Sequence, residues 1–95
     1  VQTRPSVGLD ARLWSGGNSE WYLAGTEVWQ EAYTKALAAK DKIGIEELIR
    51  QERIFPVANG TRLLVLEQYR DMTKVRVMEG PQFGKAGWVA FEHVR

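Results

Sequence analysis

The spacing of apolar residues switches twice along this chain, and those two switches narrow its architecture more than anything else in it. Up to Ala24, and again beyond Arg53, apolar side chains recur at every second position; between Thr26 and Gln51 they recur three and four apart. Alternation suits a pleated strand with one buried face, and the longer spacing suits a helix with one apolar stripe. The pattern therefore predicts a mostly β domain with a helical insertion over residues 26–51, an α+β class. With 95 residues, the chain buries roughly 60–65% of its unfolded surface, enough for one core, so residues 1–95 read as a single domain.

Each segment has its own signals. Residues 1–6 show no period and are expected to form a loose arm. Leu9, Ala11 and Leu13 alternate with Asp10 and Arg12, and a turn cluster runs from Ser15 to Ser19 before a short strand at Trp21–Ala24. Thr26 is placed to cap a helix of about fourteen residues whose apolar face would be Val28, Ala32, Tyr33, Ala36 and Leu37. Asp41–Gly44 interrupts the run, and Ile45, Leu48 and Ile49 give a second short helix, so the two form a hairpin over part of a sheet. Pro56 marks Ile54–Val57 as an edge strand. Asn59-Gly60 is a two-residue hairpin signal. Thr61–Tyr69 is apolar on both faces at its centre, as in a strand buried on two sides; Thr73–Met78 and Ala86–Val89 follow as strands, and Phe91–Val94 as one helical turn.

Composition removes several function classes. Thirteen Lys and Arg against twelve Asp and Glu leave a formal charge of +1, whereas sequence-independent nucleic-acid binding runs on clustered positive charge. Lys74, Arg76 and Lys85 are the residues a local basic patch would use, and a solvated strand face is the plainer reading. No run of about 18 apolar residues is present, so no membrane-spanning helix is expected. The chain has no Cys and one His, which excludes disulfides, thiolate chemistry and a multi-histidine metal site. No cofactor motif appears. The first residue is Val and no basic-then-apolar leader follows, so an upstream segment is expected to have been removed, and a cytoplasmic or an exported location stays open.

Gly60-Thr61, Leu64-Val65-Leu66-Glu67, Lys74-Val75-Arg76-Val77, Gly84-Lys85-Ala86-Gly87-Trp88-Val89 and Val94 together resemble the C-terminal half of bacterial SH3-like domains. The resemblance implies a small SH3-like β-barrel, with Arg12-Leu13-Trp14-Ser15 as its first strand and the two-helix hairpin replacing the long RT loop. Gly80, Gly84 and Gly87 are then expected at barrel corners. In peptide-binding members a Trp, a Pro and a Tyr line the ligand groove; the matching positions here are Met72, Ala90 and His93, so a proline-rich peptide is not the expected ligand. Residues 75–87 also resemble the KOW motif of RNA- and ribosome-associated barrels, a lesser alternative.

Candidate chemistry is sparse. His93 adjoins Glu92, but neighbours on a helical turn are expected to point apart, and Glu46-Glu47 reads as a solvated face. No enzyme activity is expected. Aromatic residues stand out instead: Trp14, Trp21, Trp29 and Trp88, with Tyr33, are the candidate partner-binding residues, as Trp and Tyr are enriched at interfaces. These features favour a non-catalytic interaction module whose ligand is a protein or a peptidoglycan-type cell-wall component. The rival reading is a structural or oligomerisation domain, in which the hairpin seals the sheet or makes a homodimer.

Overall fold

The computed structural model describes residues 6–95, so the arm expected at the start falls, up to residue 5, outside the described residues. In chain order the elements are β1 (Asp10–Arg12), β2 (Glu20–Ala24), α1 (Glu27–Ala38), α2 (Lys42–Arg50), β3 (Ile54–Ala58), β4 (Arg62–Tyr69), β5 (Met72–Val77), β6 (Ala86–Ala90) and a 3-10 turn (Phe91–His93). All strand pairings are antiparallel, in the order β1-β4-β5-β6-β2-β3. The sheet thus has two ends and does not close on itself. At the β1 end a bridge between Leu13 and Val94 brings the last residues alongside β1.

The helical insertion begins and ends as the spacing predicts. The Thr26 side chain accepts from the Trp29 N–H, and Asp41 caps α2 by accepting from the Gly44 N–H. Both helices end in the same way. The N–H of Asp41 reaches Ala36 O and that of Arg53 reaches Leu48 O, while Lys40 and Glu52 hold left-handed φ angles of 56° and 57°. These are Schellman closures in which a charged residue occupies the place glycine usually takes. The buried stripe of α1 differs from the expected one. Gln30, Tyr33 and Ala36 are buried, whereas Val28 is exposed and Leu37 partly so. Tyr33, the largest apolar side chain on the stripe, sets which face turns inward, and the residue three positions before it follows.

Two apolar clusters share the interior. One gathers Leu13, Leu23, Val57, Leu63, Val65, Val75, Val77, Val89 and Val94 from the strands; the other lies beneath the hairpin around Ala24, Tyr33, Leu48 and Ile54. Trp21 packs against both. Of β4, only the Leu63–Val65 face is fully buried; Leu64 and Leu66 are half-buried, so the strand is not enclosed on two sides. A bulge between Val65 and Glu67 leaves Leu66 without a partner residue on β5.

Two further expectations are corrected. Asn59-Gly60 joins β3 to β4, but β5, β6 and β2 lie between these strands in the sheet order and they do not pair. The turn instead ties down β1: Asn59 Oδ1 accepts from the Ser15 N–H, and the Gly60 N–H donates to Leu13 O. Gly80 and Gly84 do adopt positive φ in the β5–β6 loop, but Gly87 is no corner. It lies within β6 beside β2 and beneath the Phe55 side chain, and a Cβ there would come within 3.0 Å of Ala24 O, Leu23 Cβ and Phe55 Cζ. Pro56 stands, as expected, on a strand at the end of the sheet.

Candidate functional site

The tryptophans do not gather in one place. Trp88 is 3% exposed and Tyr33 is 4% exposed, so both sit in the interior. Trp29 is half-buried beside the cluster under the hairpin, with the Arg53 guanidinium 4.5 Å from its ring. Trp14 and Trp21 are brought together by a residue between them. The His93 ring stacks on Trp21 at 4.3 Å and lies 6.3 Å from Trp14, whose outer face carries the Arg95 guanidinium at 3.9 Å. Trp14 is the most exposed of the four tryptophans, at 42%.

His93 holds this column by its backbone as well as its ring. The Trp14 N–H donates to His93 O at 2.8 Å, and Nδ1 of His93 lies 2.7 Å from Trp14 O. A carbonyl only accepts, so Nδ1 carries the proton in that bond. Nε2 stands 3.8 Å from Oε1 of Glu92. The two neighbours therefore approach one another, contrary to expectation. With Nδ1 bonded to Trp14 O and its ring stacked on Trp21, this histidine serves the packing of β1 and β2 against the chain end. Among the described residues, no cluster of His, Cys, Asp or Glu is arranged to hold a metal ion.

Two members of the basic trio are tied into local structure. Arg76 donates to Gly84 O at 2.8 Å, and the Lys85 ammonium lies 5.2 Å from the Phe55 ring.

One recess lies elsewhere. A cleft of about 390 Å³ opens between α1 and the seam where β5 begins beside the end of β6. Gln30, Glu31, Thr34 and Lys35 form its helical wall; Arg70, Asp71 and Met72 come from the β4–β5 turn, and Ala90, Phe91 and Glu92 from the 3-10 turn. The seam is set by the sheet itself, since Met72 pairs with Ala90 and the Phe91 N–H donates to Asp71 O at 2.9 Å. Its lining mixes three carboxylates with two cations, and Arg70 lies over the Tyr69 ring at 5.3 Å. At the helical wall, Gln30 is 4% exposed; its Nε2 donates to Thr34 Oγ1 at 3.3 Å, while its Oε1 has no hydrogen-bond partner among the described residues.

The sequence reading passed over Gln30, Asp71 and the pairing of Met72 with Ala90 at a common recess. For Gln30 the signal was present: it precedes Tyr33 by three residues, a spacing that places it on the buried face. For the other two there was none, because their neighbourhood depends on strand order.

No family model, curated protein or solved structure matches this chain.

Proposed function

We propose that this chain is a non-catalytic, SH3-like interaction module that holds a short segment of a partner protein in the cleft between α1 and the β5–β6 seam. The observation that carries this reading is the cleft itself, a recess with a mixed-charge rim whose helical wall contains a buried, partly unsatisfied carboxamide. Convergent polar groups in a concave site are the general mark of a binding position. The SH3-like kinship draws support from the C-terminal part of the chain. Residues of the resembling stretch form three consecutive antiparallel strands and a 3-10 turn, and the Leu13–Val94 bridge returns the chain end to β1. Two of the three groove positions named by the resemblance, Met72 and Ala90, line the cleft; the third, His93, belongs to the aromatic column. The helix α1 supplies the wall that an RT loop would give. A cell-wall glycopeptide is the other occupant the reading allows.

The test is selection of binders from a displayed random peptide library, followed by amide chemical-shift mapping. Shifts clustering on Thr34, Asp71, Met72 and Ala90, and a loss of binding of about tenfold or more in Glu31→Trp, which fills the cleft from an exposed helical position, are the expected results. Binding of peptidoglycan fragments at the same residues would retain the site and change the ligand. Failure of both ligand classes to perturb the cleft would overturn the reading.

A second reading, a domain that self-associates through its helices, is favoured by one observation: Val28 and Ile43 on the hairpin are 69% and 73% exposed. Sedimentation equilibrium separates it, since a mass that stays monomeric across a hundredfold concentration range, about 2.7 kcal/mol in association free energy, removes it.

A further inference from the structure

Three arginines stand in one row across the β1 end of the sheet. Arg12 lies directly opposite Arg62 in the β1–β4 pairing. On its other side, Arg12 exchanges both main-chain hydrogen bonds with Arg95, at 3.3 and 2.9 Å, in register with the Leu13–Val94 bridge. Residues directly opposite in an antiparallel pair share a face, and like charges placed there repel. All three arginines are exposed and the neighbouring Ala11 is buried, so the row lies on the outer face. A recess of about 420 Å³ opens on it, lined by these arginines with Asp10 and Ala11.

The charge in this recess is not balanced from within. Asp10 forms no ion pair among the described residues, and Glu79 stands 3.8 Å from Arg12 as an exposed pair, the kind that contributes little. Two of the guanidiniums are already held: Arg12 Nη1 donates to Gly60 O at 2.9 Å, and Arg95 lies over the Trp14 ring at 3.9 Å with its Nε donating to Glu92 O. The Arg62 side chain has no hydrogen bond or ion pair among the described residues.

We propose that this row is an oxyanion site that takes a phosphate group. It shares no lining residue with the cleft beside α1, so it stands independently of the reading above. Neighbouring strands are about 4.8 Å apart, so the three side chains are rooted across roughly 10 Å. A tetrahedral phosphate presents oxygens on several sides and can accept from guanidiniums on different strands at once. A carboxylate presents two oxygens in one plane, which a single arginine fork fills. A bound phosphate turns the repulsion along the row into attraction, which accounts for a like-charged row in a chain whose net charge is only +1.

The test follows amide chemical shifts of the full chain during titration with sodium phosphate and, separately, with N-acetyl-phosphoserine amide, at constant ionic strength set with sodium chloride. Saturable shifts clustered on Asp10, Arg12, Arg62 and Arg95 are expected with phosphate. The same shifts with the phosphoserine compound would place the group on a phosphorylated side chain, and shifts with phosphate alone would make the free ion the ligand; either result keeps the site. Arg62→Gln is expected to weaken phosphate binding by about fivefold or more, the loss of charge-assisted bonds in a partly exposed site. Arg62→Lys, which keeps the charge and loses the fork, should weaken it by about threefold. Thermal unfolding verifies that both variants fold. Absence of saturable shifts on the row, equal shifts with sodium acetate, or unchanged affinity in Arg62→Gln would each overturn the proposal. So would full affinity in Arg62→Lys, which would reduce the row to general charge attraction.

Discussion

At the scale of single residues, the sharpest constraint in the sheet is an absent side chain. Gly87 allows β2 and the Phe55 ring to come close to β6, and a methyl group there would press on Ala24 O, a main-chain atom that cannot swing aside. Gly87→Ala is expected to destabilise the domain by about 1–3 kcal/mol, the range for overpacking a tight site, read as a lower urea midpoint at constant slope. Tyr33 gives a pH signature. Burial, reinforced by the nearby Tyr22, pushes its phenol from 10.0 up to about 12, while a main-chain hydrogen bond from Tyr22 opposes the shift. The folded state therefore holds this proton more tightly than the unfolded state. Its contribution is whole below pH 10.0 and is lost as pH rises toward about 12. Urea midpoints measured across that window should fall more steeply for the parent than for Tyr33→Phe; parallel slopes would show that another group governs alkaline unfolding.

At the scale of elements, β3 shows how an open sheet end is kept from pairing with a neighbour. The N–H of Asn59 reaches Ser19 O and the N–H of Gly25 reaches Arg53 O, which sets the odd-numbered residues of this segment toward β2. Strict alternation then turns the main-chain polar groups of Ile54, Pro56 and Ala58 toward the free edge. The N–H that proline lacks is thus missing from the free side, where it costs the β2–β3 ladder nothing and denies an incoming strand one of its bonds. Ala58 O is also occupied, by the Thr61 N–H and hydroxyl. Pro56→Val restores the missing donor. It is expected to leave the fold intact while raising the weight-average mass with concentration in sedimentation, and an unchanged mass would show that the edge is protected by other means. The two helix ends carry a related lesson, since Lys40 and Glu52 occupy left-handed positions that sequence rules assign to glycine.

At the scale of the whole molecule, the element types and the extent of the insertion were legible because they depend on local spacing, and the double change of period marked both its ends. The edge position of β3 was legible through Pro56 alone. Pairing was not: Asn59-Gly60 promised a hairpin between β3 and β4, but β3 pairs with β2, and β5, β6 and β2 separate it from β4. The cleft escaped for the same reason, being assembled from α1, the β4–β5 turn and the 3-10 turn, which only the strand order brings together. Trp88 and Trp14 look alike in sequence, yet one is buried and the other exposed, a difference set by position in the sheet.

The pairing of Ala24 with Ile54, reinforced by the Gly25–Arg53 hydrogen bond, has a consequence for how such a domain can change over time. It fastens the two ends of the helical insertion together at the sheet, like a collar at the neck of a bag. For a segment so fastened, the entropy of closing the loop grows only with the logarithm of its length, about 0.6 kcal/mol for each doubling. The hairpin can lengthen, shorten or be exchanged with little penalty to the strands below. The wall of the cleft is thereby free to drift toward new ligands while the sheet that supports it stays put.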